Sequence, residues 1–114
     1  VLECLRHPNE SISAAAAAAL GAMARAYLDT DAGARNARLG ERLARTLATD
    51  DNPAATRGAA LGLAVLPRWQ LLPCADAVVD ALCAAATLPE RVEKRDPETR
   101  RNAVRAIAAV VATL

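Results

Sequence analysis

Asp50-Asp51-Asn52-Pro53-Ala54-Ala55-Thr56-Arg57-Gly58-Ala59-Ala60-Leu61-Gly62-Leu63-Ala64-Val65-Leu66-Pro67 is the stretch whose reading decides the fold. Asn52 can accept the free amides at a helix start, and Pro53 loses nothing at the first helical position, where an N–H is unpaired anyway. Pro67 ends the run, since proline cannot continue a helix. Between these signals the side chains are short, so a helix here allows neighbouring backbones to approach closely.

Two further stretches share this plan. His7-Pro8-Asn9-Glu10 opens a helix expected to reach about Leu28, with Asn9 as cap and Ile12, Ala16, Leu20, Met23 and Tyr27 as its inward stripe. Asp96-Pro97-Glu98-Thr99 opens one that runs to the end, with Ala103, Val104, Ile107, Val110 and Val111 inward. Between the three lie helices expected from about Ala34 to Ala48 (Leu39, Leu43 and Leu47 inward) and from about Pro73 to Leu88 (Val78, Val79 and Leu82 inward). Val1 to Arg6 reads as the tail of a sixth. A start inside a helix and a close within an apolar run lead us to expect a piece of a longer chain.

The wider sequence agrees with an all-helical reading. The 114 residues carry a net charge of +1, are 54% hydrophobic and only 2% aromatic, and contain no phenylalanine. Alanine makes up about a quarter of them, and no alternating apolar run suggests a strand. A near-neutral balance argues against a dedicated nucleic-acid binder. Arginine so outnumbers lysine that Lys94 is the sole lysine, which we read as coding bias. Cys4, Cys74 and Cys83 cannot all pair within the chain; an odd count without C-x-x-C spacing suits a reducing compartment, with the thiols as small apolar fillers. No charged-then-apolar leader opens the sequence, and the alanine run Ala14–Ala24 is too short and too weakly hydrophobic to span a membrane.

Internal repetition joins the segments. Ala19-Leu20-Gly21 returns as Ala60-Leu61-Gly62, and Thr56-Arg57 followed by Leu61 returns as Thr99-Arg100 followed by Val104. A period in the low forties with two helices per unit is that of HEAT or armadillo arrays. The expected architecture is an α-solenoid of about two and a half such repeats in one domain, residues 1–114, with units at about 1–28, 34–66 and 73–114. A plain bundle of alanine-rich hairpins is the competing architecture.

The stretch from Arg57 to Pro67 resembles the C-terminal region of the tubulin-folding cofactor D family, the tubulin-specific chaperones D. Pro8-Asn9-Glu10-Ser11-Ile12, followed by Ala14-Ala15-Ala16 and Ala19-Leu20, is similar to the start of that region. Asp96-Pro97-Glu98 with Arg101-Asn102-Ala103-Val104-Arg105 is similar to its end. The alanine excess departs from the family's bulkier residues, and the linkers Asp29–Arg35 and Pro89–Arg95 carry nothing distinctive. The resemblance implies a cytoplasmic, cytoskeleton-associated scaffold and not an enzyme, which captures β-tubulin. With cofactors C and E and an Arf-like small GTPase, it would assemble the α/β-tubulin heterodimer and stimulate tubulin GTP hydrolysis. It implies no cofactor, no nucleic-acid partner and no membrane insertion. A HEAT scaffold in an unrelated transport or signalling assembly is the alternative. A HEAT-like lyase or glycosylase would need converging charged groups, and the sequence shows no such cluster.

The residues themselves offer little catalysis. Cys4 and His7 supply two potential metal ligands, whereas a zinc site takes three or four. Ser11 and Ser13 lack an oriented base, and no phosphate-binding loop is present. Asp76 and Asp80 fall one turn apart, as solvated carboxylates often do. Arg35, Arg38, Arg42 and Arg45 recur at helical spacing opposite Leu39, Leu43 and Leu47, offset only by Glu41. This stripe reads either as a solvated face or as a docking surface for carboxylates, which guanidinium forks grip in pairs. Asp51, Arg57, Asp96 and Arg100 are expected to lace neighbouring repeats together. Trp69, in the turn after Pro67, reads as a wedge over the core or as an interface anchor.

Overall fold

The computed structural model describes residues 2–27, 38–87 and 96–114. It is all-α, with no strand among the described residues. The helices are α1 (Leu2–Leu5), α2 (Glu10–Tyr27), α3 (Leu39–Thr49), α4 (Pro53–Val65), α5 (Arg68–Leu71), α6 (Ala75–Ala86) and α7 (Pro97–Thr113). A 3-10 turn, Leu72–Cys74, joins α5 to α6.

Sequence neighbours pack as pairs: α1 on α2, α3 on α4, α6 on α7. The second members also lie side by side, α2 against α4 and α4 against α7, while α3 lies against α6. The molecule measures 43 × 28 × 21 Å. α4 is therefore covered on several sides at once, which its composition permits. Ala54, Ala55, Gly58, Ala59, Ala60, Gly62 and Leu63 are all buried. Leu5, Leu20, Leu63, Leu66, Leu71, Leu82, Val78 and Val110 are the largest fully buried side chains.

Gly58 allows the closest approach: a Cβ there would land on the Leu5 carbonyl. Gly62 meets a leucine instead, with Leu43 Cδ1 2.8 Å from where its Cβ would be.

Local signals start three of the helices. Asn9 Oδ1 accepts from the amides of Ser11 (2.9 Å) and Ile12 (3.4 Å), and Asn52 Oδ1 from Ala54 (3.0 Å). Asp96 accepts from the Thr99 amide at 3.2 Å. α3 starts differently. Arg38 takes a left-handed conformation (φ 45°) and gives no side-chain cap, so α3 begins at Leu39, while the stretch near Ala34 where a start was expected lies outside the described residues. Its first amide is capped across the fold by Gln70 Oε1, at 3.0 Å. α6 likewise starts at Ala75, two residues beyond Pro73, because the 3-10 turn intervenes.

Several apolar phases differ from expectation. Ile12 is exposed and Ser13 is buried, its hydroxyl donating to the Leu5 carbonyl at 3.0 Å. Val79, Val104 and Val111 are exposed as well. On α7 the inward positions go to Asn102, Ala103, Ala106 and Val110, since small residues seat the helix closer to its neighbours. Cys4 and Cys83 are exposed and Cys74 is half-buried, so two of the three thiols are not core fillers. The expected inward position of Tyr27's side chain, Leu28 and the two linkers fall outside what is described.

The run Arg68–Ala86 has a mean hydropathy of 1.3, and by length and composition alone it could cross a membrane. It holds Arg68, Asp76 and Asp80 and is broken by the turn at Pro73, while Leu71, Val78 and Leu82 are spent on the core.

Candidate functional site

The densest polar geometry lies where the heads of α4 and α7 meet. Arg57 reaches Asp96 with two prongs: Nε donates to Oδ2 and Nη2 to Oδ1, each at 2.7 Å. Glu98 adds a second carboxylate, 3.4 Å from Arg57 Nε. Thr99 Oγ1 lies 2.5 Å from Asp96 Oδ2, and Thr56 Oγ1 lies 2.9 Å from Thr99 Oγ1. A hydroxyl has one proton to give, so with Thr99 donating to the carboxylate, the Thr56 proton is divided between Thr99 Oγ1 and the Pro53 carbonyl 3.0 Å away. Asn102 completes the seam by donating from Nδ2 to the Arg57 carbonyl at 3.3 Å.

Asp96 thus accepts from Arg57 twice and from Thr99 twice. The Arg57 hydrogen bonds, helped by those from Thr99, hold its carboxyl below the usual carboxylate range against the opposing effect of burial. Its hydrogen bond to Asp96 raises the Arg57 guanidinium in turn. With its acceptor sites taken, this carboxylate is suited to joining two helices rather than to receiving a substrate proton.

Beside the seam, a groove of about 1170 Å³ runs between the heads of α4 and α7 and the tails of α3 and α6. Leu47, Ala84 and Val104 supply apolar lining, and Arg100, Arg101 and Arg105 supply positive charge. Asp50 in its wall is paired with Arg6 at 3.1 Å. Arg101 pairs with Glu10 at 2.9 Å, bringing the heads of α2 and α7 together past α4.

Of the four residues expected to lace repeats, Arg57 and Asp96 are joined directly. Arg100 instead donates from Nε to the Ala86 carbonyl at 3.0 Å, tying α7 to its own hairpin partner. Asp51 is exposed in the α3–α4 loop. Helix phase explains the parting of Arg57 and Arg100. Counted from the caps Asn52 and Asp96, Arg57 corresponds to Arg101 and not to Arg100.

The arginine stripe is shorter than its spacing suggests. Arg38 precedes α3 in a left-handed conformation, so it does not continue the helical line. Arg42 is exposed on α3, Arg45 is paired with Glu41 at 3.3 Å, and Arg35 lies outside the described residues. Trp69 is half-buried within α5, next to the buried Gln70 and Leu71.

His7 Nδ1 accepts from the Asn9 amide at 3.0 Å, which spends that nitrogen on loop geometry. Among the described residues, no group of three or more His, Cys, Asp or Glu could hold a metal ion. The Glu10–Arg101 pair and the Gln70 cap escaped the sequence reading, because partners 91 and 31 residues apart leave no local signal.

No family model, curated protein or solved structure matches this chain.

Proposed function

We propose that this chain is a segment of a HEAT-type α-solenoid that works by holding protein surfaces, within a chaperone of the tubulin-folding cofactor D kind. β-Tubulin is the surface held. The parent, with cofactors C and E and an Arf-like small GTPase, assembles the α/β heterodimer and stimulates tubulin GTP hydrolysis. One observation carries the scaffold part: α2, α4 and α7 pack in one row and α3 and α6 in another, with successive helices paired between rows. Such a stack is open at its ends and presents long faces, which suits a holder of other proteins. The chaperone part is supported by the resemblance at Pro8–Leu20, Arg57–Pro67 and Asp96–Arg105.

The test is capture of β-tubulin and the small GTPase by the intact protein, with and without residues 1–114. The reading expects retention to fall sharply on deletion. Unchanged capture, with the remaining protein still folded, would sink it and leave the scaffold of an unrelated assembly. Arg38→Glu with Arg42→Glu then asks whether the head of α3 docks the acidic partner. Capture weakened most at low salt supports docking there; unchanged capture removes that face from the site.

A further inference from the structure

We infer that the Glu10–Arg101 ion pair is a salt-released strap that sets how far the row of α2, α4 and α7 bends. Glu10 stands in the first turn of α2 and Arg101 in the second turn of α7, and their charged groups meet at 2.9 Å. Among the described residues, α2 and α7 are not packed as a pair; α4 lies between them and packs on both. Packed helices run about 8–10 Å apart, so a straight row would put the axes of α2 and α7 about 16–20 Å apart. A glutamate and an arginine bridge that span only with both side chains extended toward each other, and a small splay parts them. The pair therefore favours heads that lean together.

The two ends of α2 are held differently. Its tail is tied to α4 itself: Arg25 Nη2 donates to the Val65 carbonyl at 3.3 Å, and a Cβ on Gly21 would stand 3.1 Å from Val65 Cβ. Its head sends Glu10 past α4 to α7. With the tail pinned at close range, opening of the row falls on the heads, where the strap crosses two helix interfaces in series. Small rotations at each interface add, so one bond across both restrains their sum. Glu10 also acts on the charge of α4. The Arg57 guanidinium is raised chiefly by its hydrogen bond to Asp96, against the effect of burial, and Asp96, Glu98 and Glu10 add to this through space. The head of α2 is thus drawn toward two guanidiniums.

Exposure makes the strap releasable. The Arg101 and Glu10 side chains are 46% and 60% exposed, so salt screens their attraction, which adds little to stability. The Arg57–Asp96 clasp is more buried and is screened less, so salt changes the bend and keeps the fold. This inference needs the stacking of the helices and no particular partner.

Native thiols provide the test. Exposed Cys4 lies on α1, which is paired with α2, and exposed Cys83 lies on α6, which is paired with α7. Spin labels on both, in a Cys74→Ala chain, read the separation of the first pair from the last; Cys74→Ser serves if the alanine background melts early. Raising salt from about 0.01 M to about 1 M, which shortens screening from about 30 Å to about 3 Å, should lengthen and broaden the distances. The share of open molecules should grow about threefold, a change that an exposed ion pair supports. Glu10→Gln and Arg101→Gln should each open the row at low salt and leave little salt response, and together they should open it no further than either alone. Glu41→Gln breaks the comparably exposed Glu41–Arg45 pair, which spans one turn of α3, and should leave the distances unchanged. Distances indifferent to salt and to both strap substitutions overturn the proposal. So do effects of Glu10→Gln and Arg101→Gln that add, or an opening that Glu41→Gln reproduces.

Discussion

The two junctions of α4 are made by opposite means. Toward α1 it offers almost no side chain: Gly58 meets the Leu5 carbonyl, and nearby Ser13 Oγ closes on the same carbonyl at 3.0 Å. Toward α7 it offers a long charged side chain, Arg57, clasped by Asp96 and Glu98 and flanked by paired threonine hydroxyls. One junction rests on close fit of backbones, the other on paired charges. A single helix can hold both because its 3.6-residue period turns adjacent residues about 100° apart, so Arg57 and Gly58 face different neighbours.

The largest effect expected from breaking this contrast is at the first junction. Gly58→Ala should destabilise the fold by about 3 kcal/mol, the scale of an overpacked core, even though alanine favours the helix by about 1 kcal/mol. The melting temperature should fall by roughly 10 °C. A melt left in place would show that α1 is not seated as described. Arg57→Ala comes next, at about 2 kcal/mol, since it leaves a half-buried carboxylate short of its main partner. A cycle with Asp96→Asn should return a coupling of about 1–2 kcal/mol, and additivity of the two would dissolve the clasp.

Acid separates the junctions more gently. Asp96 titrates lower in the folded protein than in the unfolded chain, so its stabilisation is fully present above the ordinary value of 3.8. It fades as pH falls through the lower folded value. Urea melts of wild type and Arg57→Ala should therefore draw together progressively as pH falls below 3.8, whereas the Gly58→Ala deficit should persist. A constant Arg57→Ala deficit across that window would contradict the assignment. The smallest effect belongs to Glu10→Gln, which frees Arg101 from an exposed pair. It should cost at most about 0.5 kcal/mol and vanish in salt.

Much of the helix layout is legible in the sequence because its punctuation is local. Asn9, Asn52 and Asp96 each act on amides two or three residues ahead, and Pro53 and Pro97 mark first turns. Facing was harder to read. In an alanine-rich helix nearly every phase offers an apolar stripe, so side-chain size becomes the guide, and it misplaces Ile12, Val79, Val104 and Val111. Small residues go inward here because the helices pack closely, leaving larger ones outside. In the candidate site, the Arg57–Asp96 attraction could be anticipated from opposite charges one period apart. The left-handed turn at Arg38, which breaks the arginine line, could not, since no glycine or asparagine announces it.

Gln70 carries a consequence for the order in which the chain comes apart. Its amide oxygen is what the first N–H of α3 is bonded to, and Gln70 belongs to α5, on the far side of α4 in the sequence. The opening turn of α3 is therefore borrowed from a later segment and forms only once that segment has arrived. In hydrogen exchange, the Leu39 amide becomes a reporter on its lender: its proton is released at the pace at which α5 lets go, whatever the local helix is doing.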